Sequence, residues 1–225
     1  MTASLSEGLV GESPLRAPPH PILLCAATRW EAGPLIRRWG LRRIPPRRPA
    51  RFEGGFRGRR IVLLQTGVGP EKARQTLSLL SSEPYSCALS VGLAGALSRE
   101  IAPADIVADF QYLGAEARGA AREGAASSPV PVHFGRIVSS GRVVFSARRK
   151  ALLGESSRAS AVDMETGALL DWGTERGTPV AAVRAAFDTL QDGLLLWLNI
   201  PGMALRRKKA MGALASFLEK IIPSL

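Results

Sequence analysis

Continuous apolar runs separated by amphipathic stretches dominate this chain. The runs at 21–27 (PILLCAA), 61–66, 86–91 and 180–187 have strand length and no polar face, the pattern of parallel strands buried on both sides. Only Arg184 interrupts the last of them. Between the runs lie stretches of helical period. Thr28 caps the first, with Glu31 in its first turn and Leu35, Ile36 and Trp39 facing inward. A helix at 71–80 follows the turn Gly67-Val68-Gly69. Another spans 164–176, with Asp163 as N-cap, Met164, Ala168, Leu169 and Trp172 at helical spacing, and Gly177 as its stop. Segments 51–56 and 61–66 read as a hairpin around 57–60, and 105–110 and 132–138 as further strands. The small residues 92–96 read as a turn, 42–51 and 111–131 as loops, and 147–153 as a short helix. A last amphipathic helix runs from about 203 to 222. This alternation predicts a single-domain three-layer α/β/α sandwich with a mixed, mostly parallel central sheet, spanning 21–225 behind a flexible tail at 1–20.

Charge and cysteine content narrow the partners. Cys25 and Cys87 both lie in strand-like runs, so buried reduced thiols are expected rather than a disulfide. No apolar run reaches the ~20 residues of a membrane span, and the first twenty residues lack the pattern of a secretory signal. A cytoplasmic protein is expected. The net charge of +11 comes from clusters at 37–51, 57–60, 148–150 and 206–209. They read as a solvated basic surface or as contacts to phosphate-bearing or anionic partners. No basic stripe is interleaved with aromatics, so specific nucleic-acid binding is not expected.

Only two histidines occur, His20 and His133, which makes a histidine-based triad implausible, and no His/Cys metal-ligand spacing is present. Acid–base work therefore falls to carboxylates. Glu31, Glu165 and Asp188 each sit just beyond a strand or in the first turn of the next helix, where open α/β sheets bind ligands. Each has a structural alternative, as a favourable charge at a helix start or as a turn cap. The GVGPEK turn lacks the third glycine of the dinucleotide fingerprint. Its backbone N–H groups suit an anion or a sugar hydroxyl.

VDMETGALLDWGTERGTPVAAVRAAFD resembles the signature of the purine nucleoside phosphorylase/nucleosidase superfamily, especially methylthioadenosine/S-adenosylhomocysteine nucleosidases. Met164-Glu165 and Arg184…Asp188 match its Met-Glu pair and Arg-x-x-x-Asp strand end, and TGVGPEKA, VGLAGAL, IAPADIV and ILLCAATRWEAGPL resemble upstream motifs. The resemblance implies cleavage of a purine N-ribosidic bond through an oxocarbenium-like transition state. Asp188 would be the general acid toward purine N7, and Glu31 would orient or deprotonate water. Glu165 would bind the ribose hydroxyls and Met164 would pack on the sugar. Gly92, Ala94 and Gly95 would line the purine side, and Phe145 and Arg184 complete the expected substrate-binding set. No metal or cofactor is implied, with phosphate a co-substrate only if the enzyme is a phosphorylase.

The chain departs from the pattern at four places, one of them Ala96, which replaces the second glycine of the G-x-A-G-G turn. Arg142 replaces an acid, Phe145 is displaced by one position, and Phe187 stands where a small hydroxyl residue precedes the acid. Parts of the chain are also similar to hopanoid-associated nucleosidase/phosphorylase proteins, thought to release adenine from adenosylhopane. In that reading LLLWLNIPGMALRRKK would touch an anionic inner-membrane surface, with Leu194 to Leu198 inserted. The alternative places those leucines in the core or in the interface of a homodimer, the assembly the resemblance implies. A non-catalytic nucleoside-binding protein is the second reading, motivated by Phe187 and Arg142.

Overall fold

Strand β1 (Ile22–Ala26) lies between β4 (Arg59–Gln65) and β5 (Cys87–Ala96) and parallel to both, and β10 (Val180–Asp188) extends the parallel set beyond β5. The structure is a computed structural model, and it describes residues 20–192 and 200–225. β2 (Arg42–Ile44) and β3 (Arg51–Phe56) add antiparallel beyond β4. On the other side β6 (Ile106–Asp109) runs antiparallel to β10 and parallel to β7 (Val132–Phe134). β8 (Ile137–Ser139) and β9 (Ala161–Asp163) pair in parallel, and β9 meets the end of β5 at Gly95 and Ala96. The result is a mixed, mostly parallel sheet between helical layers.

Strand periodicity builds the two cores. Ile22 and Leu24 face one way, against Leu35 of α1 (Arg29–Trp39), Ala121 of α3 (Ala115–Ala126) and Phe217 of α6 (Ile200–Ile221). Leu23 and Cys25 face the other, against Leu77 of α2 (Pro70–Ser78) and Leu169 and Trp172 of α5 (Thr166–Arg176). Each such fully buried aliphatic or phenyl side chain contributes about 1.5–3 kcal/mol. α4 (Ala147–Ser157) packs Leu153 beside Leu97, Ala159 and Val162 at the β9 end. Both cysteines are free and buried, and burial pushes the Cys25 thiol up to about 12 and that of Cys87 to about 11.

Several elements differ from the sequence expectation. Part of the 42–51 loop is β2, paired with β3. Residues 92–96 are not a turn: β5 continues through them because β10 and β9 supply hydrogen-bonding neighbours. Helix α3 forms within 111–131, packed on α6 despite its weak apolar period. The strand at 132–138 is two strands. At Gly135 and Arg136 the backbone changes partner from β6 to β9, Gly135 N–H bonding to Ala108 and the Arg136 carbonyl to Ser160 N–H. α4 runs on to Ser157, and α5 begins at Thr166 rather than Met164. Asp163 therefore ends β9, although its carboxylate still accepts the Thr166 N–H as a cap would. Most of the tail and the 194–198 leucine segment lie outside the described residues. No described helix is long and apolar enough to cross a membrane.

Candidate active site

Seven chain segments meet at the carboxyl ends of β1, β5 and β10 around a cavity of about 640 Å³. Glu31, Glu165 and Asp188, distant in sequence, all open onto it. Val143, Val144, Met164, Phe187 and Met203 give it apolar walls, and Ala94 and Gly95 bring β5 backbone to its surface. Phe187 and Asp188 are consecutive, yet both line it. The register of β10 on β5 shifts between Ala186 and Asp188, and that bulge releases the strict in–out alternation of the strand.

Local chemistry fixes each acid. Glu31 belongs to a capping box at the start of α1. Its Oε2 accepts from Thr28 N–H at 2.9 Å and Thr28 Oγ1 at 3.0 Å, while Thr28 Oγ1 accepts the Glu31 N–H at 3.2 Å. Oε1 accepts the Leu93 N–H of β5 at 2.9 Å. A carboxylate has about four acceptor positions, so one remains for a ligand or a water. Glu165, just ahead of α5, accepts the Gly69 N–H at 2.8 Å. That N–H is available because it stands at the start of α2, where helix geometry leaves donors without intrahelical partners. Burial pushes the Glu165 carboxyl above its ordinary value, and the Arg184 guanidinium and the Gly69 N–H hold it back.

Arg184 is 1% exposed and sits behind the cavity wall. Its Nη2 lies 2.5 Å from Asp163 Oδ2 and 3.7 Å from Glu165 Oε2, and it donates to Ser90 Oγ at 2.6 Å. Nη1 lies 4.0 Å from Glu31 Oε1. Burial alone would lower the pKa of this guanidinium, but Asp163, Glu165 and Glu31 outweigh it and raise it. Asp163 is tied further by Thr166 Oγ1 and by Ser139 Oγ at 2.6 Å. Gly92 lies directly beneath this cluster at φ +150°, and a Cβ there would collide with the Glu31 carboxylate and Arg184.

At the other end Asp188 pairs with Lys150 Nζ of α4 at 2.7 Å through Oδ2. Its Oδ1 is buried without a hydrogen bond of good geometry among the described residues, and the Ala96 N–H acts on the carboxylate to lower its pKa. Oδ1 lies against Gly95, where a Cβ would approach it to 3.0 Å. Burial pushes the Asp188 carboxyl above its ordinary value, Lys150 pulls it down, and Asp192 pushes up.

Of the residues expected from sequence, Glu31, Glu165, Asp188, Met164, Ala94 and Gly95 face the cavity. Gly92 and Arg184 stand behind its wall, and Phe145 does not line it, Val143 and Val144 taking that side. Sequence reasoning missed Lys150, which is wholly buried rather than part of a solvated basic run, and it treated Asp163 only as a cap. Trp30, Arg142 and Arg207 also line the cavity, Arg207 lying 4.7 Å over the Trp30 ring. Among the described residues no group of three or more His, Cys, Asp or Glu side chains is placed to hold a metal ion.

Comparisons with known proteins converge on one fold. A family profile described as Phosphorylase superfamily matches residues 108–222, just over half of the chain. The futalosine hydrolase of Helicobacter pylori is 21% identical with a TM-score of 0.76, over 92% of this chain and 98% of that one. A mutant 5′-methylthioadenosine/S-adenosylhomocysteine nucleosidase of the same organism, solved with 5′-methylthioadenosine in its active site, is 19% identical with a TM-score of 0.78, over 92% and 99%. The Neisseria meningitidis nucleosidase in complex with methylthio-immucillin-A is 21% identical with a TM-score of 0.77, over 92% and 100%. No curated protein matches the chain in sequence.

Proposed function

The chain belongs to the phosphorylase superfamily, and on that premise we propose that it hydrolyses the N-glycosidic bond of a purine nucleoside, releasing the free base. The observation that carries this reading is the convergence of Glu31, Glu165 and Asp188 on one cavity, with an arginine behind two of them and a lysine behind the third. Breaking the bond leaves positive charge on the sugar and negative charge on the base. Carboxylates that outnumber their guanidinium suit the cationic sugar, and a buried acid suits the departing base.

Asp188 protonates purine N7 as C1′–N9 breaks, burial having made it more ready to hold a proton. Glu165 accepts hydrogen bonds from the ribose hydroxyls, with Met164 against the sugar. Glu31 uses its remaining acceptor position to orient water at C1′ and take its proton. Val143, Val144 and Phe187 enclose the base in apolar surface. Nucleosidases among the structural neighbours, including one with 5′-methylthioadenosine bound, support an adenine-type substrate. The wide, apolar and partly cationic cavity supports a 5′ substituent larger than a hydroxyl.

Arg142 and Arg207 favour a second reading, a phosphorylase in which they help hold phosphate. Against it, Glu31 would repel a phosphate bound beside C1′. Chromatographic detection of free base from a panel of 5′-modified adenosines, with and without phosphate, separates the two. Release without phosphate is the expected result. Strict phosphate dependence would establish the phosphorylase, and no release from any nucleoside would remove both.

A further inference from the structure

Lys150 is a buried cation that the reaction as described leaves without a role. Its neighbours Arg148 and Arg149 at the start of α4 are exposed, whereas Lys150 has no solvent-accessible surface. Its Nζ donates to the Thr189 carbonyl at 2.8 Å and meets Asp188 Oδ2 at 2.7 Å. Burying an ammonium is expensive, and an apolar side chain of similar volume would often serve packing equally well or better. The cation therefore calls for an explanation beyond stability.

The geometry around Asp188 supplies one. Lys150 engages only Oδ2, and Oδ1 lies buried against Gly95, itself part of the cavity wall. The other charged group acting here is Asp192, whose carboxylate accepts from Arg206 of α6 at 2.8 Å. Since Arg206 is drawn off by Asp192, Lys150 is the cation that Asp188 meets directly.

We propose that Lys150 is a positioning residue for the glycosidic cleavage: it anchors Asp188 through Oδ2 so that the carboxyl is held toward the departing base, and it neutralises the carboxylate left behind. The inference rests on the function proposed above. In the step, the O–H bond of the Asp188 carboxyl breaks as N7–H forms, and the C1′–N9 electron pair leaves with the base. Water oxygen bonds to C1′ and its proton goes to Glu31. Asp188 ends as a carboxylate against the Lys150 ammonium, and solvent returns the proton from Glu31 to Asp188 between turnovers.

The test is the pH dependence of kcat/KM for base release by wild type, Lys150→Gln, Lys150→Met, Asp188→Asn and the Lys150→Gln/Asp188→Asn double variant. The glutamine keeps a donor for the Thr189 carbonyl and so guards against loss of folding in the methionine variant. Without the cation, Asp188 holds its proton to higher pH. The alkaline limb, where the acid loses that proton, should therefore move up by about one pH unit or more. At the wild-type optimum the rate should fall at least about tenfold, and the double variant should be no slower than Asp188→Asn alone. An unmoved alkaline limb, or a lysine effect of the same size in the Asp188→Asn background, would reduce Lys150 to packing and overturn the proposal. A wild type that releases no base from any nucleoside would instead overturn the function on which it rests.

Discussion

At one end of the cavity three carboxylates, Glu31, Asp163 and Glu165, share the guanidinium of Arg184, whereas at the other Asp188 has Lys150 to itself. With every group ionised, the first end carries two negative charges in excess and the second is neutral. The first is also bound into backbone donors from two other elements, Leu93 of β5 and Gly69 before α2, while Asp188 keeps one oxygen poorly satisfied. Fixed excess negative charge is suited to meet a developing cation, and an under-bonded acid beside one lysine is suited to move a proton. Under the proposed function the two ends thus divide sugar from base.

That division can be broken from either side. Asp188→Asn removes the acid and keeps the shape, so the rate of base release should drop by roughly 10²–10⁴ while calorimetry still records nucleoside binding. Equal loss of rate and affinity would place position 188 in binding alone. Arg184→Met leaves Asp163 and Glu165 buried without their cation and should cost about 3–5 kcal/mol in urea unfolding, since Arg184 is unscreened by solvent. A loss below about 1 kcal/mol would show that the carboxylates find other partners. Thr28→Ala breaks the capping box that orients Glu31 and should cost about 1 kcal/mol, with turnover reduced more than nucleoside affinity. If turnover is unchanged, Glu31 does not need that orientation.

The smallest effect is one of sign. Burial raises the folded-state value of Glu165, so its contribution to stability is fully present below the unfolded value and is lost as pH rises through the folded one. Glu165→Gln mimics the protonated side chain. Its stability should equal that of wild type in acid and exceed it increasingly toward neutral pH, as thermal unfolding across that range would show. A difference that shrinks with rising pH would mean that Arg184 and Gly69 outweigh burial.

Legibility from sequence followed the period of the chain. β10 was readable because all nine of its residues are buried, and the acids were readable because β1, β9 and β10 end beside them. Helix α3 was not, because its alanines and glycines give little amphipathic contrast and only Ala121 and Ala125 are buried on its inner face. Residues 92–96 look like a turn because small residues mark turns, yet here they let Glu31 and Asp188 approach the β5 backbone. Lys150 follows two exposed arginines, so its burial depends on where α4 docks, which no local pattern records. The family resemblance anticipated the superfamily, but the partners of the acids come from long-range packing.

The most direct test of the divided cavity is the structure of the Asp188→Asn variant with an intact purine nucleoside bound. The base should lie beside position 188 and Gly95, with the ribose hydroxyls within hydrogen-bonding distance of Glu165 and C1′ facing Glu31. A nucleoside bound in the reverse sense, or outside this cavity, would contradict the account.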